Sequence, residues 1–145
     1  MSETLPEDLV ALLRGASLCF ISTTMRDGSP QLTQTWVDTD GARILINTVD
    51  GFLKVKNIRR DPRVALSFDV PREPGVWINP CAVIHARAGV EHSRRIWDLM
   101  ARHAKVYVSP DTQVPVSKDS EPGFLVRYSI TRIGGIGPWA TGPAL

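Results

Sequence analysis

The chain has 145 residues, of which 43% are hydrophobic and 22% charged, and its formal net charge is +2. This balance suits one soluble globular domain spanning 1–145 and excludes a disordered chain, a collagen or a coiled-coil rod. The longest apolar run, Leu9 to Leu13, is too short to cross a bilayer, and so weak a net charge does not argue for nucleic acid.

The acidic opening has no apolar h-region, which predicts no secretory signal. Cys19 and Cys81 form no metal or redox spacing, so a reducing, cytoplasmic setting is expected. Thr4 and Glu7 make a capping box for a first helix with Leu9, Leu12 and Leu13 as its stripe, ending before Gly15. Residues 17–24 are β-branched and aromatic and predict a strand. Asp27-Gly28 and Asp40-Gly41 are hairpin turns. Between them, 30–38 alternates, with Gln31, Thr33, Thr35 and Val37 on one face and Leu32, Gln34 and Trp36 on the other. Trp36 is assigned to the core. Residues 43–49 predict a third strand, and the three are expected to form an antiparallel meander.

Asp50-Gly51 breaks the pattern. Phe52, Val55 and Ile58 then recur at spacing three, with basic residues between them, and predict a short helix stopped by Asp61-Pro62. Residues 63–70 and 82–90 are further strands, the latter extended by 76–78 across a kink at Asn79-Pro80. Residues 91–103 predict a second long helix, with Ile96, Leu99 and Met100 as its stripe and Glu91 at its N-terminal dipole. His92 and His103 would then lie on nearly the same side of it. A surface loop over 109–123, a last strand over 124–133 and a Gly/Pro-rich tail over 134–145 complete the chain. The fold class is mainly β, a small antiparallel barrel with flanking helices.

Two constellations carry chemistry. Residues 51–63 hold Lys54, Lys56, Arg59, Arg60 and Arg63 against Asp61 alone. A helix N-terminus attracts phosphate, Lys54 sits in its first turn, and Asn57 and Arg60 follow near the same face. The alternative is a solvated basic surface helix. The second constellation is the polar face Gln31, Thr33 and Thr35, read as lying beside a strand with Asn47 and Thr48. It would line a ligand groove, or else meet water as one face of an outer strand. The histidines have no metal-ligand spacing, and no P-loop, GxGxxG or GxSxG motif occurs.

The run from Phe20 to Phe68 resembles the flavin-binding split-barrel family related to pyridoxamine 5′-phosphate oxidase. Within that family it is most similar to small enzymes that use the deazaflavin coenzyme F-420. The carriers are Thr-x-x-x-Asp-Gly-x-Pro-Gln, the Asn-Thr closing the third strand, and Lys-x-x-Asn-Ile-Arg-Arg-Asp-Pro-Arg-Val. The resemblance implies a split β-barrel homodimer with a cofactor in each interface groove. It places the phosphate lysine on Lys54, its companions on Lys56, Asn57 and Arg60, and the ring-facing positions on Gln31, Thr33, Gln34, Thr35, Trp36, Asn47 and Thr48. The implied activity is hydride transfer from reduced coenzyme F-420 to a small unsaturated organic substrate. The same fold with FMN, as an oxidase or flavin reductase, is the alternative. A non-catalytic flavin- or haem-binding barrel, with His85 or His92 as haem ligand, is a third. No catalytic residue is assigned. The tail Gly134–Leu145 lacks the arginine and histidine of true pyridoxamine phosphate oxidases, so that reaction is not expected.

Overall fold

The computed structural model describes residues 4–48, 52–71, 74–75, 77, 80–114 and 124–140. Ten elements follow in order: α1 (Glu7–Arg14), β1 (Cys19–Thr24), β2 (Pro30–Thr35), β3 (Asp38–Thr39), β4 (Ile44–Thr48), α2 (Leu53–Arg60), β5 (Arg63–Asp69), β6 (Cys81–His92), α3 (Ile96–Tyr107) and β7 (Phe124–Ile136). The strands form one antiparallel sheet in the order β2-β1-β5-β6-β7-β4-β3.

That order corrects the expected meander. The Asp-Gly turns do form, with Gly28 at φ 87° and Gly41 at φ 91°, but they join β1 to β2 and β3 to β4 as separate hairpins. The alternating stretch 30–38 is interrupted at Trp36 and Val37, and its two halves occupy opposite edges of the sheet. A flat sheet of seven strands would hold its edges about 29 Å apart, whereas the link from Thr35 to Asp38 spans at most about 11 Å. The sheet must therefore curl until its edges nearly meet, and the result is a split β-barrel.

Alternation decides what fills it. Ile44 and Ile46 of β4, and Val126 and Tyr128 of β7, join one large core with Ile21, Leu66, Phe68 and Ile84. Their neighbours Leu45 and Leu125 face outward and pack under α3 against Ile96 and Leu99. Helix α1 adds Leu9 and Leu13 to the main core. Its N-cap is Pro6 and carries no side-chain hydrogen bond, so the expected Thr4 capping box does not form.

Helix α3 begins later than the sequence predicts. Residues 91 and 92 stay in β6, because the ladder to β7 continues through Glu91↔Leu125 and His92↔Phe124. Glu91 binds Arg127 at 2.9 Å instead of a helix end, and His92 and His103 fall on different elements. Strand β7 likewise runs on to Ile136. Gly135 has φ 99°, and a Cβ there would collide with the Cys81 carbonyl, so only glycine fits. Trp139 is buried and donates its indole N–H to the Cys81 carbonyl at 3.1 Å; it belongs to the core of its own barrel. The expected strand start at 76–78 and the kink at Asn79 lie largely outside the described residues, as do Asp50-Gly51 and 115–123.

Candidate functional site

Helix α2 has two unlike sides. Val55, Ile58, Lys54 and Asn57 face inward, and Lys56 and Arg59 face water. Residues two apart on a helix stand roughly 200° apart, so Lys56 cannot share a pocket with Lys54. Lys54 is only 7% exposed. Burial pulls the pKa of its ammonium down, and the one group that opposes this is the thiol of Cys19. Among the described residues no carboxylate pairs with it. Its near neighbour is the Phe52 ring, 5.8 Å away. The first turn of α2 also holds no acidic residue. A buried cation and an uncompensated helix N-terminus thus stand together, which is the arrangement that binds phosphate.

Asn57 is occupied in holding this helix. Its Nδ2 donates to Thr23 Oγ1 at 3.0 Å and touches Met25 Sδ at 3.4 Å. Arg60 donates to its Oδ1 at 2.9 Å and also to the Thr24 carbonyl. Thr23 in turn donates to Gln31 Oε1 at 2.9 Å. Gln31, Asn57 and Arg60 are therefore brought together, as links that tie α2 to the β1–β2 hairpin. Asn57→Ala takes from the Thr23 hydroxyl its donor and from Arg60 one of its two acceptors, and should cost about 1–3 kcal/mol of unfolding free energy, read by denaturant melt.

Thr33 and Thr35 sit opposite Ile21 and Cys19 and face the barrel interior. Asp38 pairs with Leu45, and His103 touches both Trp36 and Asn47, so the end of β2 lies near β4. Strand β2 and strand β4 are not ladder neighbours, as the sequence reading had them; the curl of the barrel brings their ends together. The hydroxyls of Thr33 and Thr48 are both buried with no hydrogen-bond partner among the described residues. Gln34 points the other way, beside Phe20 on the outer face.

Trp36 corrects the core assignment: it is 37% exposed. It stacks on Tyr107 with centroids 5.3 Å apart and meets His103 edge-on at 6.2 Å. Tyr107 donates to the Ser17 carbonyl at 2.7 Å and accepts from the Val37 N–H at 3.2 Å, bracing the break between β2 and β3. His103 Nδ1 lies 3.1 Å from Asn47 Oδ1. Burial drives the His103 pKa down to about 4, opposed by Asp38 and aided by Arg102. His103 and Tyr107 were absent from the sequence-predicted site. Their signal was helical spacing, since Leu99, His103 and Tyr107 recur every four residues. His85 is exposed on the outer face opposite Arg132, and His92 lies beside Phe124.

Residues 5–135 match the family model of pyridoxamine 5′-phosphate oxidase. Among solved structures, an F-420 reductase superposes with a TM-score of 0.70 at 20% identity, over 89% of this chain and 98% of its own. The conserved hypothetical protein Rv2991 from Mycobacterium tuberculosis superposes with a TM-score of 0.71 at 16% identity, over 99% of this chain and 92% of its own. A heme binding protein from Mycobacterium smegmatis superposes with a TM-score of 0.64 at 15% identity; the match covers 94% of this chain and 55% of that one.

Proposed function

Because the chain belongs to the pyridoxamine 5′-phosphate oxidase family, we propose that it is an oxidoreductase whose cofactor is the deazaflavin coenzyme F-420, with FMN as the alternative. The observation that carries this is the buried ammonium of Lys54 at the start of α2, which no carboxylate of the described residues pairs. The orphaned hydroxyls of Thr33 and Thr48 support it. An ammonium and hydroxyls are the donors that a phosphodiester and a polar ring edge require.

In this reading Lys54 holds the phosphate, and Thr33, Thr35 and Thr48 offer hydrogen bonds along the barrel mouth. Asn47 is held by His103, and Gln31, Asn57 and Arg60 keep α2 in place. The bound cofactor supplies the hydride. The substrate class would be an unsaturated organic molecule, whose double bond would be reduced by that two-electron hydride and a proton from solvent. The chain's own work is binding, orientation and exclusion of water. A second copy completes the groove: Leu18, Phe20, Leu32, Trp36, Phe52 and Leu53 are large apolar side chains left exposed on the β1, β2 and α2 side. Free thiols at Cys19 and Cys81 suit a reducing, cytoplasmic setting.

The test is anaerobic turnover. Reduced coenzyme F-420 is mixed with the protein and a panel of quinones and enones, and the return of the oxidised coenzyme's absorbance is followed. Acceptor-dependent oxidation by the protein is expected. No turnover with F-420, together with turnover of reduced FMN, would move the proposal to the FMN alternative.

A further inference from the structure

A cavity of about 590 Å³ adjoins the proposed cofactor site without sharing its residues, His103 and Tyr107 standing between the two. Its walls are α3, the C-terminal turn of α1 and the β3–β4–β7 edge. The volume is in the range that small-molecule ligands occupy. Leu45, Leu99 and Leu125 give it an apolar floor, and Arg14, Arg95, Arg102 and Arg127 contribute guanidinium groups. The acidic residues of the lining are largely satisfied. Asp38 is bound by Arg102 at 3.0 Å and Asp40 by Arg43 at 3.2 Å. Asp98 sits in the first turn of α3, where the helix dipole stabilises it. Arg127 is held by Glu91. Arg14 and Arg95 remain without a carboxylate partner among the described residues.

We infer that this cavity is a second binding site, for a small organic acid with one anionic group and an apolar body. The two free arginines would take the anion at the rim, where planar guanidinium groups match a carboxylate. The leucine floor would take the apolar part. None of the proposed cofactor residues lines this cavity, and the inference does not rest on the cofactor reading, although His103 and Tyr107 of its wall touch Asn47 and Trp36.

The probe is 2-naphthoate, titrated into the full chain by isothermal calorimetry, with 2-naphthol, which keeps the apolar body without the carboxylate, as comparison. Saturable one-to-one binding of 2-naphthoate is expected, at least about tenfold tighter than 2-naphthol. The double variant Arg14→Ala/Arg95→Ala should bind 2-naphthoate at least about tenfold more weakly. Lys105→Ala, a charge change on α3 outside the cavity, should leave binding unaltered, and so should Lys54→Met. Both arginines are exposed, so the variants should fold, and an unchanged far-UV spectrum confirms that they do. Three results would each overturn the inference: no saturation below about 1 mM, equal binding of the two probes, or indifference to the double substitution. Loss of binding in Lys54→Met would put the organic acid in the cofactor groove and overturn the separate site.

Discussion

Lys54→Met should weaken cofactor binding and strengthen the apo-protein at the same time. A charge-assisted contact to phosphate contributes about 2–3 kcal/mol, so the dissociation constant should rise roughly 30- to 150-fold. The unliganded fold, by contrast, carries a buried ammonium that no carboxylate of the described residues neutralises. Replacing it with an apolar chain of similar length removes that desolvation penalty and should add about 1–2 kcal/mol to the unfolding free energy. The opposite signs make the result diagnostic. A lysine on a merely solvated basic helix would change neither quantity much, and a structural lysine would lose stability on replacement. Fluorescence titration gives the first quantity and urea melts of apo-protein the second.

The second large effect is on pH dependence. His103 is buried and its pKa lies at about 4 in the fold, against about 6.5 in the unfolded chain. Between those values the unfolded state binds the proton and the native state does not. Stability is therefore complete above pH 6.5 and falls as pH drops toward 4, by about 3 kcal/mol from this group. Carboxylates titrate near the lower end of the same window, so a variant must isolate the histidine. His103→Phe should cost stability at pH 7, where the Asn47 contact is lost, yet show a flatter decline between pH 6.5 and 4. Urea melts at half-unit pH steps, with wild type and variant side by side, read the difference in slope. Equal slopes would show that another group carries the dependence.

Much of the fold can be read from short-range pattern. The Asp-Gly turns, the β-branched run of β1, the alternation of β5 and the apolar spacing of α2 all depend on neighbours in sequence, and all appear within two residues of where they were expected; β2 begins where expected and ends three residues early. What pattern could not supply was pairing at long range. Strands β2 and β3 read as one strand because nothing in the alternation records the break at Trp36 and Val37, where the chain passes from one sheet edge to the other. The start of α3 was misjudged for a related reason. Glu91 and His92 suit a helix locally, but the β6–β7 ladder offers their backbones partners as far as Phe124. Trp139 fell in the Gly/Pro-rich tail, yet Gly135 and Gly137 bend the chain so that its ring enters the core.

The candidate site was legible in kind more than in arrangement. Lys54 and Asn57 stood out by helical spacing, and both are buried on the inner side of α2. Their roles separate only in three dimensions: Asn57 is consumed by Thr23 and Arg60, and Lys54 is left over. Lys56 and Gln34 came from the resemblance and face away from Lys54 and the threonines. His103 closed the predicted helix and Tyr107 lay beyond it, and neither was assigned to the site, because their contacts to Asn47 and Trp36 require α3 to run on to Tyr107 and lie across the outer face of β4.

The most direct test of the central claim is a pair of fluorescence titrations of the purified apo-protein, one with coenzyme F-420 and one with FMN. Saturable F-420 binding, tighter than FMN and weakened by Lys54→Met, is the predicted result. Binding of neither ligand, or binding indifferent to Lys54, would contradict it.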